Sequence, residues 1–260
     1  MSKFAWKVLR ALFPFMVVGL AYEIFARSGF MKPVLAPSLL DVAATFERMV
    51  MSGELPRHAA ATLLRMGIGF FLAAAAGILL GTLMARIRLV DRLLTPVVGI
   101  GLPIPGLAWV PLFVLWFGLG EKATILLVAF SATFPIIVNA RMGVMAINPI
   151  WIRAARIMET PPSMLFWKVM LPGALPLILS GLRVGLARAW RAVIAGEMIA
   201  ATSLGLGWAI FNAMEVLNTD VVIAVIIGIG ITGYLVETLL FSMIERRYLV
   251  RWGMMRGTRE

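Results

Sequence analysis

Three arginines, Arg183, Arg188 and Arg191, sit in a stretch that is otherwise apolar and long enough to cross a bilayer, about 173–196. Charge at membrane depth is costly, so such residues face a bundle interior or water and find partners. At ~1.5 Å of rise per residue, Arg183 lies roughly 15 Å along this stretch and Arg191 roughly 27 Å. The last apolar run, about 221–244, carries Glu237 roughly 10 Å from its end, a matching depth on an antiparallel helix. An Arg183–Glu237 pair is expected, because either charge alone is expensive there. For Arg188 and Arg191 two readings are open. They form a positive site for an anionic group, since the guanidinium fork matches sulfonate or carboxylate oxygens. Alternatively they are structural, Arg188 paired with an acid and Arg191 reaching the interface along its apolar stem.

A second polar stretch is basic and interrupts a chain otherwise almost all membrane. It runs Arg153-Ala154-Ala155-Arg156-Ile157-Met158-Glu159, then through Thr160, Pro161 and Lys168 to Val169-Met170-Leu171-Pro172. Asn148-Pro149 starts a short helix through about Met158. Thr160 as N-cap with Pro161 at the first helical position starts another. The segment therefore reads as a helix-turn-helix elbow, with the Glu159 carboxylate favourably placed beside a helix N-terminus.

Other chemistry is poorly supported. The single His58 falls in a predicted loop, and there is no Cys, which argues against a metal or redox centre. No Ser–His or paired-Asp constellation suits an intramembrane enzyme. The net charge of +11 invites a nucleic-acid reading. No basic stripe with interleaved aromatics lies on a soluble face, so no nucleic-acid partner is expected.

These residues need a scaffold, and composition says which. The chain is 61% hydrophobic over 260 residues, with a mean hydropathy of +0.95. Soluble domains are nearer half apolar, and a membrane helix needs ~20 apolar residues. The expected fold is therefore all-α, a single polytopic membrane domain with six spans at about 8–27, 66–85, 100–119, 123–140, 173–196 and 221–244. The first span is read as retained rather than cleaved, since Tyr22 and Glu23 spoil a small-residue cleavage site. Ser38, with Asp41 three residues on, starts an outside helix over about 38–52, lying on the membrane face or packed on the bundle. Gly69, Ala73, Gly77 and Gly81 form a small-residue stripe for close helix packing, within one chain or between two. Gly181, Gly185 and Ala189 form another.

The third span is punctuated by Pro96, Pro103, Pro105 and Pro111. Broken backbone at membrane depth survives only where protein or a water-lined cavity satisfies it. Pro103 and Pro105 thus mark either a bend lining a path or a proline-rich entry to a span at about 104–119. Asn139 lines the path or bonds a neighbouring carbonyl. The residues from Glu197 to Asp220 are expected to form the last outside loop. Basic residues concentrate in alternate segments, including a cytoplasmic loop at about 141–172 and a tail with five arginines. Fifteen inside against five outside fits six spans with both termini in the cytoplasm.

The elbow resembles the cytoplasmic loop of bacterial ABC-importer permeases, which reads E-A-A, three residues, G, nine residues, I-x-L-P. Ala154, Ala155, position 159, Val169 and Leu171-Pro172 keep that spacing, while Arg153 replaces the Glu and Glu159 the Gly. Pro37-Ser38, Ser52-Gly53-Glu54-Leu55, Trp116-Phe117-Gly118-Leu119-Gly120-Glu121, Leu171-Pro172-Gly173-Ala174-Leu175-Pro176 and Gly181-Leu182-Arg183 are similar to the branch importing nitrate, aliphatic sulfonates and taurine. The resemblance implies a type I importer permease in the bacterial inner membrane, a transport subunit rather than an enzyme. It implies import by alternating access of a small anion delivered by a periplasmic or lipid-anchored solute-binding protein. It also implies a second permease copy, surrounding lipid, and two copies of an ATPase docked on the elbow. No cofactor is expected on this chain. ATP and Mg²⁺ belong on the ATPase, consistent with the lack of a G-x-x-x-x-G-K-[ST] loop here. The rival expectation is an ion-coupled secondary transporter using buried carboxylates such as Glu23 or Glu237, without an ATPase.

Overall fold

A computed structural model describes residues 3–201 and 203–244, and those residues contain helices and no strand. The helices are α1 (Lys3–Arg27), α2 (Leu39–Met51), α3 (Glu54–Arg86), α4 (Arg88–Gly101), α5 (Gly106–Phe117) and α6 (Glu121–Met145). They continue as α7 (Pro149–Ile157), α8 (Pro162–Leu165), a π-helical turn (Phe166–Met170), α9 (Leu171–Ala200), α10 (Leu206–Glu215) and α11 (Thr219–Ile244). The arginine-rich tail, 245–260, lies outside the described residues.

Helix α6 is the centre, held between α3 and α9 by the two small-residue stripes. A Cβ on Gly69 would meet Val128 at 2.7 Å, and one on Gly77 would meet Ile136 at the same distance. On the other side, a Cβ on Gly181 would lie 2.5 Å from Asn139 Cβ, and one on Gly185 2.8 Å from Ile136. Both stripes therefore pack within the chain, backbone close to side chain, as helices do where apolar solvent offers no hydrophobic drive. Ala73, Val128, Ala132, Ile136, Ala189 and Val193 are buried at the seam.

Among the described residues, α3, α6, the continuous helix Pro162–Ala200 and α11 are long and apolar enough to span a membrane. Up to and beyond the bundle centre the elements differ from the sequence expectation as follows. The predicted span at 100–119 is not one helix: α4 and α5 meet at 105° across residues 102–105. With 12 residues, α5 is only about 18 Å long, well short of the ~30 Å hydrocarbon core. Pro103 and Pro105 remove two backbone donors, which is why the chain turns here. Helix α3 begins at Glu54, so His58 is helical and buried rather than in a loop. Helix α9 runs to Ala200, so Glu197 is in a helix, not at the start of an outside loop.

Helix α2 starts at Ser38, whose hydroxyl accepts from the Asp41 N–H while Asp41 bonds back to the Ser38 N–H. That reciprocal box satisfies donors a helix start leaves free.

Candidate functional site

The break between α4 and α5 opens a cavity of about 400 Å³. Pro103, Pro105, Gly106, Ser131, Arg188 and Arg191 are in its wall. Three elements build it: the break, the middle of α6 and the second half of α9. Arg188 Nη2 donates to the Leu102 carbonyl at 2.8 Å. This carbonyl ends α4, where helix geometry leaves acceptors without partners, so Arg188 stabilises the break. Arg191 Nε donates to Ala187 O, one turn back, at 3.0 Å. Neither arginine forms an ion pair among the described residues. The acid partner expected for Arg188 in the structural reading is replaced by a backbone carbonyl.

Asn139 is not in this wall. Its Nδ2 donates to the Pro135 carbonyl of its own helix, one turn back, at 2.9 Å. Arg183 Nε lies 3.5 Å from Glu237 Oε1, between α9 and α11, with both side chains about half exposed at 50% and 55%.

The elbow is built from α7, α8 and the π turn. Asn148 caps α7 by accepting from the Ile150 N–H, and Pro149 holds the first position. At the other end the Thr160 N–H reaches Ala155 O and the Glu159 N–H reaches Arg156 O, at 3.1 and 3.0 Å. That pairing is a Schellman motif, which needs a left-handed residue after the cap. Glu159 is that residue, with φ of 53°. A side chain there is strained, whereas glycine is not. Thr160 consequently closes α7 instead of capping the next helix; Pro161 is the N-cap of α8 and Pro162 its first residue. Ala155 is buried; Arg153, Ala154, Arg156, Ile157, Met158 and Lys168 are exposed. Leu171 and Pro172 begin α9, which continues the same rod. The second half of the elbow is thereby continuous with the helix that carries Arg183, Arg188 and Arg191.

One cluster escaped the sequence reading. At the end of the bundle opposite the elbow, Arg65 Nη1 donates to Glu197 Oε1 at 2.8 Å and to Leu204 O. Its Nη2 reaches Glu121 at 3.2 Å. Thr62 Oγ1 and the Gly207 N–H donate to Glu197 Oε2, and His58 Nδ1 accepts from the Gly205 N–H. Glu197 is fully buried. Gly205 and Gly207 are the available signal: a Cβ on Gly205 would collide with the Glu197 carboxylate, and one on Gly207 with Ile194 O. Ser131 in the cavity wall also went unnoticed, a lone serine in a span carrying no pattern.

Comparison with known proteins fits this architecture. Residues 73–250 match the family described as binding-protein-dependent transport system inner membrane component. The chain belongs to this family. It is therefore a transport component rather than an enzyme. The taurine transport system permease protein TauC of Escherichia coli (strain K12) is 40% identical over 202 residues, 78% of this chain and 72% of that protein. The putative aliphatic sulfonates transport permease protein SsuC of Bacillus subtilis (strain 168) is 31% identical over 241 residues, 93% and 86% of the two chains. Among solved structures, a chain of the inward-facing MetNI methionine ABC transporter superposes with a TM-score of 0.66 at 23% identity, covering 76% of this chain and 97% of its own. That likeness speaks to fold: these permeases share a helical type I importer core.

Proposed function

We propose that this permease forms the membrane path of an ATP-driven importer for a small sulfonate-, taurine- or nitrate-like anion. Two copies, each with six spans and both termini in the cytoplasm, pair in the inner membrane. A solute-binding protein delivers the anion to the outer face. Two ATPase subunits dock on the elbow, around Arg153, Ala154, Arg156, Glu159 and Lys168. ATP closes the ATPase pair, the elbow moves, and α9 carries the motion past Leu171 and Pro172 to the cavity at the break.

The observation that carries this reading is the elbow. Its exposed apolar side chains, Ile157 and Met158, stand beside Arg153 and Arg156 on a rigid turn that ends one long transmembrane rod. Apolar surface ringed by charge is what a partner protein covers. The buried Glu197 gives no support to ion-coupled transport, since its oxygens are already engaged by Arg65, Thr62 and Gly207.

The test is co-purification. The tagged chain, expressed with the genes that neighbour it and solubilised gently, is expected to elute with an ATPase in a one-to-one ratio. Replacing Ile157 and Met158 together by Asp is expected to abolish that association while leaving the chain folded. Elution of the parent chain alone, with its fold intact, would reject the proposal and raise the secondary-transporter reading.

A further inference from the structure

We infer that the cavity at the α4–α5 break binds the oxyanion end of the solute, a sulfonate group, so that the permease itself recognises its cargo. The inference rests on the importer reading and adds a site and a ligand chemistry to it.

Four features converge on one ligand. Arg188 and Arg191 bring two positive charges to the wall, and neither has an ion pair among the described residues. Unpaired charge at membrane depth is expensive unless something compensates it. Ser131 lines the same cavity, is only 6% exposed, and its hydroxyl makes no hydrogen bond among the described residues. Threonines elsewhere on these helices do return a bond to the preceding turn, Thr133 to Ala129 O for example. Helix α5 starts at the wall with Pro105 before it and no side-chain cap, so the N–H groups of Gly106 and Leu107 have no side-chain partner. Helix starts of this kind favour anions through free N–H groups and the helix dipole. Lastly, no carboxylate among the described residues lines the cavity, whose volume suits a small solute.

The donors come from three directions: the arginine forks on α9, the hydroxyl on α6 and the amides of α5. Three oxygens on a tetrahedral sulfur satisfy three donor sets. A planar carboxylate has two oxygens and leaves one donor set without its charge-assisted bond. The Leu102 carbonyl, which would repel an anion, is already taken by Arg188. Arg188 lies twelve residues before Ala200, the end of α9, roughly 18 Å in from that end at ~1.5 Å per residue.

The experiment uses the full chain in nanodiscs of phosphatidylcholine, with radiolabelled methanesulfonate as the probe. Acetate and neutral methanesulfonamide serve as competitors. The parent is expected to bind methanesulfonate saturably, to prefer it over acetate, and to ignore the sulfonamide. Arg191→Gln is expected to weaken binding at least about tenfold, the loss of a charge-assisted bond. Ser131→Ala should weaken it a few-fold, as should Gly106→Ala, whose Cβ would lie 2.9 Å from the Ser131 hydroxyl without changing any charge. These two variants carry the test if Arg191→Gln misfolds. Absence of saturable binding by the parent would overturn the site, as would unchanged binding by the folded variants. Acetate competing as well as methanesulfonate would overturn the ligand class. ATPase co-purification, measured on the same preparations, separates the two readings. A permease that holds its ATPase but not the probe loses only this site; one that holds neither loses both.

Discussion

Two clusters of charge lie among the apolar helices, and they differ in whether an acid accompanies the arginine. At the end opposite the elbow, Arg65 has Glu197 at 2.8 Å and Glu121 at 3.2 Å. Thr62, His58, Gly205 and Gly207 complete a network in which Arg65 Nε is the one buried side-chain atom without a partner among the described residues. At the break, Arg188 and Arg191 have carbonyls of the backbone and an open cavity. A compensated network is inward-looking: it fixes four segments to one another, with Arg65 and Glu197 buried and Glu121 at the solvent edge. An uncompensated pair costs stability and keeps its charge available. The first arrangement belongs to the framework, the second to the traffic through it.

The largest effect should come from breaking the framework cluster. Glu197→Ala strands the Arg65 charge beside Glu121 alone and removes the acceptor of Thr62 and of the Gly207 N–H. Removing one partner of a buried pair costs about 3–5 kcal/mol. The chain should lose stability by that order, read as a large drop in the thermal midpoint in detergent. Replacing Arg65 and Glu197 together by Leu should recover part of the loss, because no lone charge then remains. An unchanged midpoint for Glu197→Ala would erase the contrast between the clusters.

Much of the framework could be read in advance, because its signals are local. Gly69, Ala73, Gly77 and Gly81 recur at helical spacing, and such a stripe has meaning without its partner. Ser38 and Asp41 likewise specify a helix start on their own. The Arg65–Glu197 contact was hidden for the opposite reason: its partners are 132 positions apart, each near the edge of an apolar run where a solvated charge is the ordinary expectation. The cavity was half legible. Pro103, Pro105, Arg188 and Arg191 stood out as breakers and misplaced charges. Ser131 did not, since only the 105° bend brings the start of α5 against the middle of α6. At the elbow, Thr160 was misread as a helix start because a Schellman ending is normally signalled by glycine, and here Glu159 adopts the left-handed backbone instead.

A smaller effect is expected at the break. Arg188→Met keeps the apolar stem but leaves the Leu102 carbonyl without its donor. Losing a hydrogen bond from a charged group costs about 1.5–3 kcal/mol, and removing an uncompensated charge offsets part of it. The net drop in thermal midpoint should be clearly below that of Glu197→Ala. A variant more stable than the parent would sharpen the comparison further, marking Arg188 as a charge held at the expense of stability. A drop as large as that of Glu197→Ala would mean that the break depends on Arg188 as the other cluster depends on its acid.

The smallest effect should come from Arg183→Gln, an intermediate case with an acid but without burial. Arg183 and Glu237 lie 3.5 Å apart and are about half exposed in the single chain. Exposed pairs contribute about 0–1 kcal/mol, so the midpoint of the isolated chain should scarcely move. The assembled transporter supplies the sharper reading. If a second copy covers the face between α9 and α11, the pair loses its solvent and Glu237 becomes a stranded charge when Arg183 is removed. The variant should then lose midpoint in the assembled complex but not as a solitary chain. Equal and small shifts in both would leave this face open to water, and Arg183 would join neither the framework nor the cavity.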